Sequence, residues 1–440
     1  MNKIIQGDCL EKLKELPDNS VDSIVTDPPY ELGFMGKSWD NTGIANNVEL
    51  WKECLRVLKP GGHLLAFSGT RTYHRMASAI EDAGFEVRDM IEWVYGSGFP
   101  KSLNIGKSVE ALVTTGNASK NGFSDLNGEK LERGNWGISK QAKKHGFRAK
   151  NYDTETTKTE RIGQLDPTTD EAKLWNGYGT ALKPAHEPCV LARKPLEKGH
   201  SVAQNVLKHG TGGLNIDGTR VGTGNGGEKP EYKPNTKNKV YGNNMGGGEW
   251  NNTQGRFPAN LIHDGSDEVE AVFPQTKAGV AVRRNKGIVA SKNVTFNAND
   301  PTNTEDVGYG DSGSASRYFY CAKASKSERN AGLEGFEDRP RPTMGSGIGG
   351  QPDQQRANNK NVHPTVKPLS LTKYLATLIK PPTGGRLLVP FSGSGSEMIG
   401  ALQAGWEYVE GVELTEEYIP IAEARIKHWV SKPVQVALDV

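Results

Sequence analysis

The sequence predicts an α/β fold: a mostly parallel sheet with one antiparallel edge strand, carrying a large loop-rich insertion. Three observations carry that expectation. Short β-branched runs alternate with helical stripes over residues 1–98, and the same alternation resumes over 362–429. Between them the pattern fails, and Gly, Asn, Lys and Pro fill 222–255 and 345–361 almost without apolar residues. The chain therefore divides into 1–100, 101–360 and 361–440, and the two end segments are expected to pair in space as one sheet.

The elements follow in order. Ile4–Ile5 start a strand that ends at Gly7-Asp8, and Leu10, Leu13 and Leu16 space a short helix stopped by Pro17. Val21 to Thr26 is nearly continuous in apolar character, as in a strand covered on both faces. Leu50, Trp51, Cys54, Leu55 and Leu58 form a helical stripe that Pro60-Gly61-Gly62 closes, and His63 to Phe67 is the next strand. A helix over 71–83 and a strand over 85–95 complete the first zone. In the last zone, Leu371 to Ile379 is a helix and Arg386 to Phe391 a strand. Met398 to Ala404 is a helix, Tyr408 to Leu414 a strand, and Tyr418 to Trp429 an amphipathic helix. Inside the insertion, Glu187 to Arg193 reads as a strand, placed antiparallel at the sheet edge.

At 440 residues the chain exceeds one ordinary core and suits two domains, or one domain with a large insertion. Its 54 basic and 52 acidic residues leave a net charge of +2, so any nucleic-acid contact must rest on local rather than global charge. Cys9, Cys54, Cys189 and Cys321 have no CxxC spacing, which argues against structural zinc, iron–sulfur and disulfide frameworks; no metal is expected. No run of about 20 apolar residues and no signal-type apolar segment occurs, so a soluble cytoplasmic protein is expected.

Two motifs carry chemistry. Asp27-Pro28-Pro29-Tyr30 follows directly on the strand over 21–26. A ring amine is a poor nucleophile because its lone pair is delocalised. A carboxylate (Asp27) and a backbone carbonyl (Pro28) that accept its two N–H groups draw the nitrogen toward tetrahedral geometry and stabilise developing positive charge. The prolines fix φ, and Tyr30 offers a flat face for an extruded base. The bland alternative is a proline turn. The second motif, Phe391-Ser392-Gly393-Ser394-Gly395, joins a strand to a helix, and Glu413 ends the next strand at a place suited to a ribose diol. A dinucleotide fingerprint expects glycine where Met398 stands, and no GK[ST] follows either this loop or Gly210–Gly213. Asp8 reads either as an ordinary N-cap or as part of a site with Cys9. Cys189 follows Pro188, as in the nucleophile pair of cytosine-C5 methyltransferases, but its apolar strand setting reads as a buried structural thiol.

Taken together, DPPY first and FxGxG last, with GDCLEKLKELPDNSVDSIVTDPPY, VLKPGGHLLAFSG, HPTVKP and YVEGVELTEEY, resemble the β class of DNA amino-methyltransferases; LKPAHEPCVLARKPL and RYFYCAKASKSER look like its phage and prophage members. The resemblance covers roughly 1–100 and 362–430. It implies a Rossmann-like S-adenosylmethionine-dependent sheet that methylates an exocyclic amine of a flipped base in duplex DNA, by direct transfer without a covalent enzyme intermediate. It assigns Asp27, Pro28, Pro29 and Tyr30 to the base. Phe391, Gly393, Ser394 and Gly395 go to the cofactor loop, Glu413 to the ribose, Asp8 and Cys9 to the adenine ring, and Lys367 to the methionine end. Asp before Pro-Pro-Tyr leans toward N6 of adenine, with N4 of cytosine the alternative. This sequence departs from the usual pattern at Val389, where Asp is common, and at Ser396-Glu397, where Thr-Thr is common. Those departures keep open a catalytically degenerate DNA- or cofactor-binding module. The insertion is expected to read DNA through Arg283 and Arg284, and through Arg317, Lys323 and Lys326 interleaved with Tyr318, Phe319 and Tyr320; the competing reading is solvated surface charge around a core strand. The resemblance leaves a homodimer and a cognate restriction endonuclease open, the nuclease without any indication in the sequence.

Overall fold

In the computed structural model the residues described are 2–32, 40, 42–98, 102–115, 167–222, 255–277, 312–322, 327–337 and 360–431. Nine strands form one sheet in the order β1-β11-β10-β2-β3-β5-β4-β6-β9. They are β1 (Asn2–Gln6), β2 (Val21–Thr26), β3 (Leu58–Phe67), β4 (Glu86–Val94), β5 (His186–Arg193), β6 (Leu261–His263), β9 (Tyr320–Cys321), β10 (Arg386–Val389) and β11 (Tyr408–Glu413). β7 (Gln275–Lys277) and β8 (Ser312–Ser314) make a separate antiparallel pair.

The two ends of the chain interleave as the sequence predicts. β11 pairs with β1 and β10 with β2, all parallel, so the last strands of the chain lie between its first two. β2 is buried along its whole length. Adjacent residues explain why: Ile24 and Leu64 face one apolar cluster, while Val25 and Leu65 face another on the opposite side of the sheet. The first cluster is covered by α1 (Cys9–Lys14), α2 (Val48–Val57) and α3 (Tyr73–Asp82), through Leu13, Trp51, Cys54 and Ile80. The second is covered by α8 (Leu369–Leu378), α9 (Ser396–Gln403) and α10 (Ile419–Ser431), through Leu371, Leu375, Ile399 and Ile426. Burial of this apolar surface on both faces is the main term holding the layers together.

Two expectations need correction. β5 is antiparallel, but it lies inside the sheet between β3 and β4 rather than at the edge. The reason is that β4 pairs with the far side of β5, and β6 and β9, too short to show a periodicity in sequence, extend the sheet further beyond β4. β3 starts at Leu58 rather than His63, with a register shift across Pro60-Gly61-Gly62. Gly61 has φ +82, and a Cβ there would lie 2.5 Å from Asn205 Nδ2, so glycine admits the turn of α6 (Val202–His209) against this bulge. Val389 is fully buried in the core and pairs with Gly411, which accounts for an apolar residue at that position. Cys189 is likewise buried, and burial pushes its thiol well above the usual range, as expected of a structural cysteine.

Residues 1–96, 186–339 and 359–440 form one compact unit, and 97–185 with 340–358 a second. Among the described residues of the 101–360 region, β5, β6 and β9 pair in the sheet. In the second unit, α4 (Ile105–Thr115) supplies Glu110. Its carboxylate accepts the backbone N–H groups of Thr168 at 3.0 Å and Thr169 at 2.9 Å, ahead of α5 (Asp170–Leu174). α7 (Asp267–Glu270) follows β6 in the first unit. Among the described residues no helix is long and apolar enough to cross a membrane.

Candidate active site

Parallel strands bring their C-terminal ends to one rim. β10 leads through α9 to β11 on one side, whereas β2 leads through α2 to β3 on the other, and those helices cover opposite faces. The crevice between β10 and β2 is therefore a topological switch point, the place where open α/β sheets take ligands. Asp27 leaves β2 on one lip, and the 391–395 loop leaves β10 on the other.

Asp27 has an asymmetric environment. Its Oδ2 accepts Lys367 Nζ at 2.6 Å. Its Oδ1 is buried and has no hydrogen-bond partner. Thr26 Oγ1 and Ser392 Oγ, beside it on the two lips, are also buried without partners. Buried polar atoms are nearly always satisfied, so an orphaned carboxylate oxygen at the end of β2 marks a place suited to a polar ligand group. Pro28 is buried behind Asp27. Tyr30 is pinned at both ends: its carbonyl accepts Thr72 Oγ1 at 2.7 Å, and its hydroxyl donates to Glu187 Oε2 at 3.0 Å. A Cβ on Gly69 would come within 3.2 Å of the Tyr30 ring, so glycine there allows the ring its position.

Lys367 is 7% exposed and sits among charges rather than in solvent. Its Nζ also lies 3.2 Å from Glu187 Oε2 and 3.0 Å from the Tyr30 hydroxyl, and 4.7 Å from the centroid of the Phe67 ring. Burial alone would discharge the amine, but the carboxylates of Asp27 and Glu187 outweigh it and hold it an ammonium. Lys367 was expected at the methionine end of a cofactor, and its ammonium bonds the DPPY carboxylate.

The second lip is a fixed turn. Gly393 and Gly395 have φ of +49 and +82, and a Cβ on Gly393 would meet His363 Nε2 at 2.8 Å. Glu413 accepts the N–H of Gly393 at 2.8 Å on one oxygen and that of Thr415 at 2.7 Å on the other. Each oxygen keeps a further lone pair for a hydroxyl. Arg425 is fully buried and bonds the Ser394 carbonyl, Ser394 Oγ at 2.9 Å and Ser396 Oγ at 3.3 Å, which locks the turn from below. Phe391 packs on the apolar cluster under α2. Asp8 and Cys9 join this end, because Gln6 pairs with Glu413 and the Gly7 N–H bonds the Glu413 carbonyl. Asp8 caps α1 by accepting the Glu11 N–H at 3.2 Å, and Cys9 is buried.

Sequence reasoning missed three members of this rim. Glu187 is an acid at the start of an apolar strand pattern, which is the signal it offered. Glu397, 4% exposed, is pushed up to about 7 by burial and then by the Asp27 carboxylate, with Lys367 and Arg425 opposing. It is the acid that replaces the usual threonine. Arg425 gave no signal beyond its place in an amphipathic helix. Of the residues expected to touch DNA, Arg317 is held internally, bonding the carbonyls of Gly313 at 2.6 Å and Ser314 at 2.7 Å and lying 4.4 Å over the Tyr318 ring. Arg283, Arg284, Lys323 and Lys326 lie outside the described residues.

The sequence profile of the DNA methylase family (N6_N4_Mtase) matches residues 21–424, and the chain belongs to that family. Among curated proteins it is 28% identical over 167 residues to the Type II methyltransferase M.HinfI of Haemophilus influenzae, covering 32% of this chain and 46% of that protein. It is 36% identical over 106 residues to the Type II methyltransferase M.HpaI of Haemophilus parainfluenzae, covering 23% and 34%. The matched stretches thus span less than half the length of these relatives. Among solved structures, the M1.HpyAVI–SAM complex aligns at 13% identity and TM-score 0.36, over 97% of this chain and 100% of that one. The cytosine-N4-specific PvuII DNA methyltransferase aligns at 12% and 0.41, over 99% and 88%.

Proposed function

We propose that this protein transfers a methyl group from S-adenosylmethionine to an exocyclic amino nitrogen of a base flipped out of duplex DNA, with N6 of adenine as the target. The observation that carries the reading is the buried, partnerless Oδ1 of Asp27 at the switch point, opposite the glycine turn over Glu413. The cofactor supplies an electrophilic methyl on a sulfonium. Its ribose suits Glu413, and its close approach to backbone suits Gly393 and Gly395, so the residues fit the group.

Asp27 Oδ1 accepts one amino N–H, and the Pro28 carbonyl is suited to accept the other. Both acceptors concentrate electron density on the nitrogen. Lys367 occupies Oδ2, which leaves Oδ1 for the base. Tyr30, held at its carbonyl and its hydroxyl, presents a fixed face for stacking. After transfer the nitrogen carries a surplus proton, and Asp27 Oδ1 is the nearest seat for it on the way to water. The remaining contribution is orientation. The acid at 27 supports adenine over cytosine, and residues 101–360 are the region suited to target recognition.

The test is methyl transfer from tritiated S-adenosylmethionine to unmethylated bacterial genomic DNA, followed by nucleoside analysis. N6-methyladenine is expected. N4-methylcytosine would replace the adenine assignment. Tight cofactor binding with no label in any DNA would replace the enzyme by a binding module.

A further inference from the structure

The ammonium of Lys367 is shared by two carboxylates, and only one of them belongs to the DPPY motif. The other, Glu187, comes from β5, the single strand that runs against its neighbours β3 and β4. Antiparallel pairing brings the beginning of β5, not its end, to the rim where β2 and β3 finish. Phe67 pairs with Cys189, and the Ser68 N–H bonds the Pro188 carbonyl at 2.9 Å, so Glu187 overhangs the crevice. Its Oε2 takes the Tyr30 hydroxyl at 3.0 Å and Lys367 Nζ at 3.2 Å, and its Oε1 takes the Tyr95 hydroxyl at 3.4 Å. One carboxylate therefore touches both the lysine that binds Asp27 and the aromatic ring offered to the base.

We propose that Glu187 is a positioning residue for methyl transfer, acting through Lys367 and Tyr30. The proposal rests on the amino-methyltransferase reading. Its charge logic is as follows. Asp27 and Glu187 against Lys367 leave one net negative charge beside the acceptor nitrogen. That nitrogen gains a positive charge as the C–S bond breaks and the N–C bond forms, so the cluster balances the charge that develops. Neutralising Glu187 removes the surplus. Lys367 then pairs with Asp27 alone, and Oδ1 becomes a weaker acceptor for the base. Tyr30 also loses the charged acceptor that sets the plane of its ring. Neither effect reaches Glu413 or the 391–395 turn, where the cofactor is expected.

The experiment is single-turnover methyl transfer with cofactor binding measured alongside. Glu187→Gln keeps shape and volume and removes only charge. The expected result is a fall of about 10- to 100-fold in the transfer rate. S-adenosylmethionine affinity, read by calorimetry, should stay within about twofold. Glu187→Asp should recover part of the rate. In a Lys367→Met background, Glu187→Gln should cost much less than in the native protein, because the two act as one unit. An unchanged rate in E187Q overturns the proposal while leaving the activity intact, and so does full additivity with K367M. A native protein that methylates no DNA overturns the underlying reading instead. Should E187Q fail to fold, E187D decides the question through the same rate and affinity pair.

Discussion

Strand β2 carries a lysine–aspartate pair at each end, and the two pairs differ in one respect. Near its start, Asp22 Oδ1 accepts Lys59 Nζ at 2.6 Å and Oδ2 accepts the Arg386 N–H at 2.7 Å, so both oxygens are used. Just past its end, Asp27 Oδ2 accepts Lys367 Nζ at the same 2.6 Å while Oδ1 is left without a partner. Both carboxylates are largely buried, both face a lysine, and both lie next to β10. The first closes a joint between strands from opposite ends of the chain. The second holds an acceptor in reserve. Distance and burial do not tell the two pairs apart; completeness of bonding does.

The comparison is broken most sharply by removing each acid in turn. Asp27→Asn should lower methyl transfer by at least about a thousandfold with little change in melting temperature, since it deletes the charge that faces the base. Asp22→Ala should do the reverse. It strips two bonds from the strand joint and costs roughly 1–3 kcal/mol in denaturant unfolding, with the rate per folded molecule retained. Equal loss of activity in both would show that the unpaired oxygen is not what distinguishes them.

The lysines give a smaller contrast. Lys367→Met leaves two half-buried carboxylates without their shared cation and should cut the transfer rate by about a hundredfold. Lys59→Met affects a side chain that is 32% exposed and should change unfolding by less than about 1 kcal/mol. Comparable losses of activity from both would undo the contrast.

Glu397 sharpens the picture through pH. Its folded-state pKa of about 7 lies above the ordinary carboxylate value of 4.5, because burial and the Asp27 carboxylate favour the protonated form. Between pH 4.5 and 7 the unfolded chain loses this proton while the folded one keeps it, so stability falls as pH rises through that window. Above pH 7 the penalty is complete. Glu397→Gln should therefore raise the melting temperature by a few degrees at pH 8 and change it little at pH 4.5. An offset that does not grow over that interval would mean the carboxyl is not held protonated.

Much of the site was legible in sequence because its pieces are local. DPPY follows directly on the β-branched strand over 21–26, and FSGSG sits between a strand and a helix, so each announces its place within a dozen residues. The partner of Lys367 was not legible, since Asp27 lies 340 residues away and only the folded sheet joins them. Glu187 stayed hidden for a related reason. Its strand was recognised, but its insertion between β3 and β4, which pair with it from about 100 residues away, is not written in local periodicity. Val389 looked like a lost polar group and proves to be a core residue, a distinction that needs burial rather than motif.

The interleaving of the two chain ends sets a timetable for biosynthesis. Asp22 and Arg386, whose bond closes the joint between β2 and β10, are 364 residues apart along the chain. At about 5–20 residues per second a ribosome takes roughly 20–70 s to deliver the second after the first. For that interval β2 emerges without the neighbour that belongs on its β10 side, as an apolar edge on a nascent chain. The methylase sheet is thus completed only after β10 and β11 have been synthesised, and until then it is the first helices laid over β2 that can shield it.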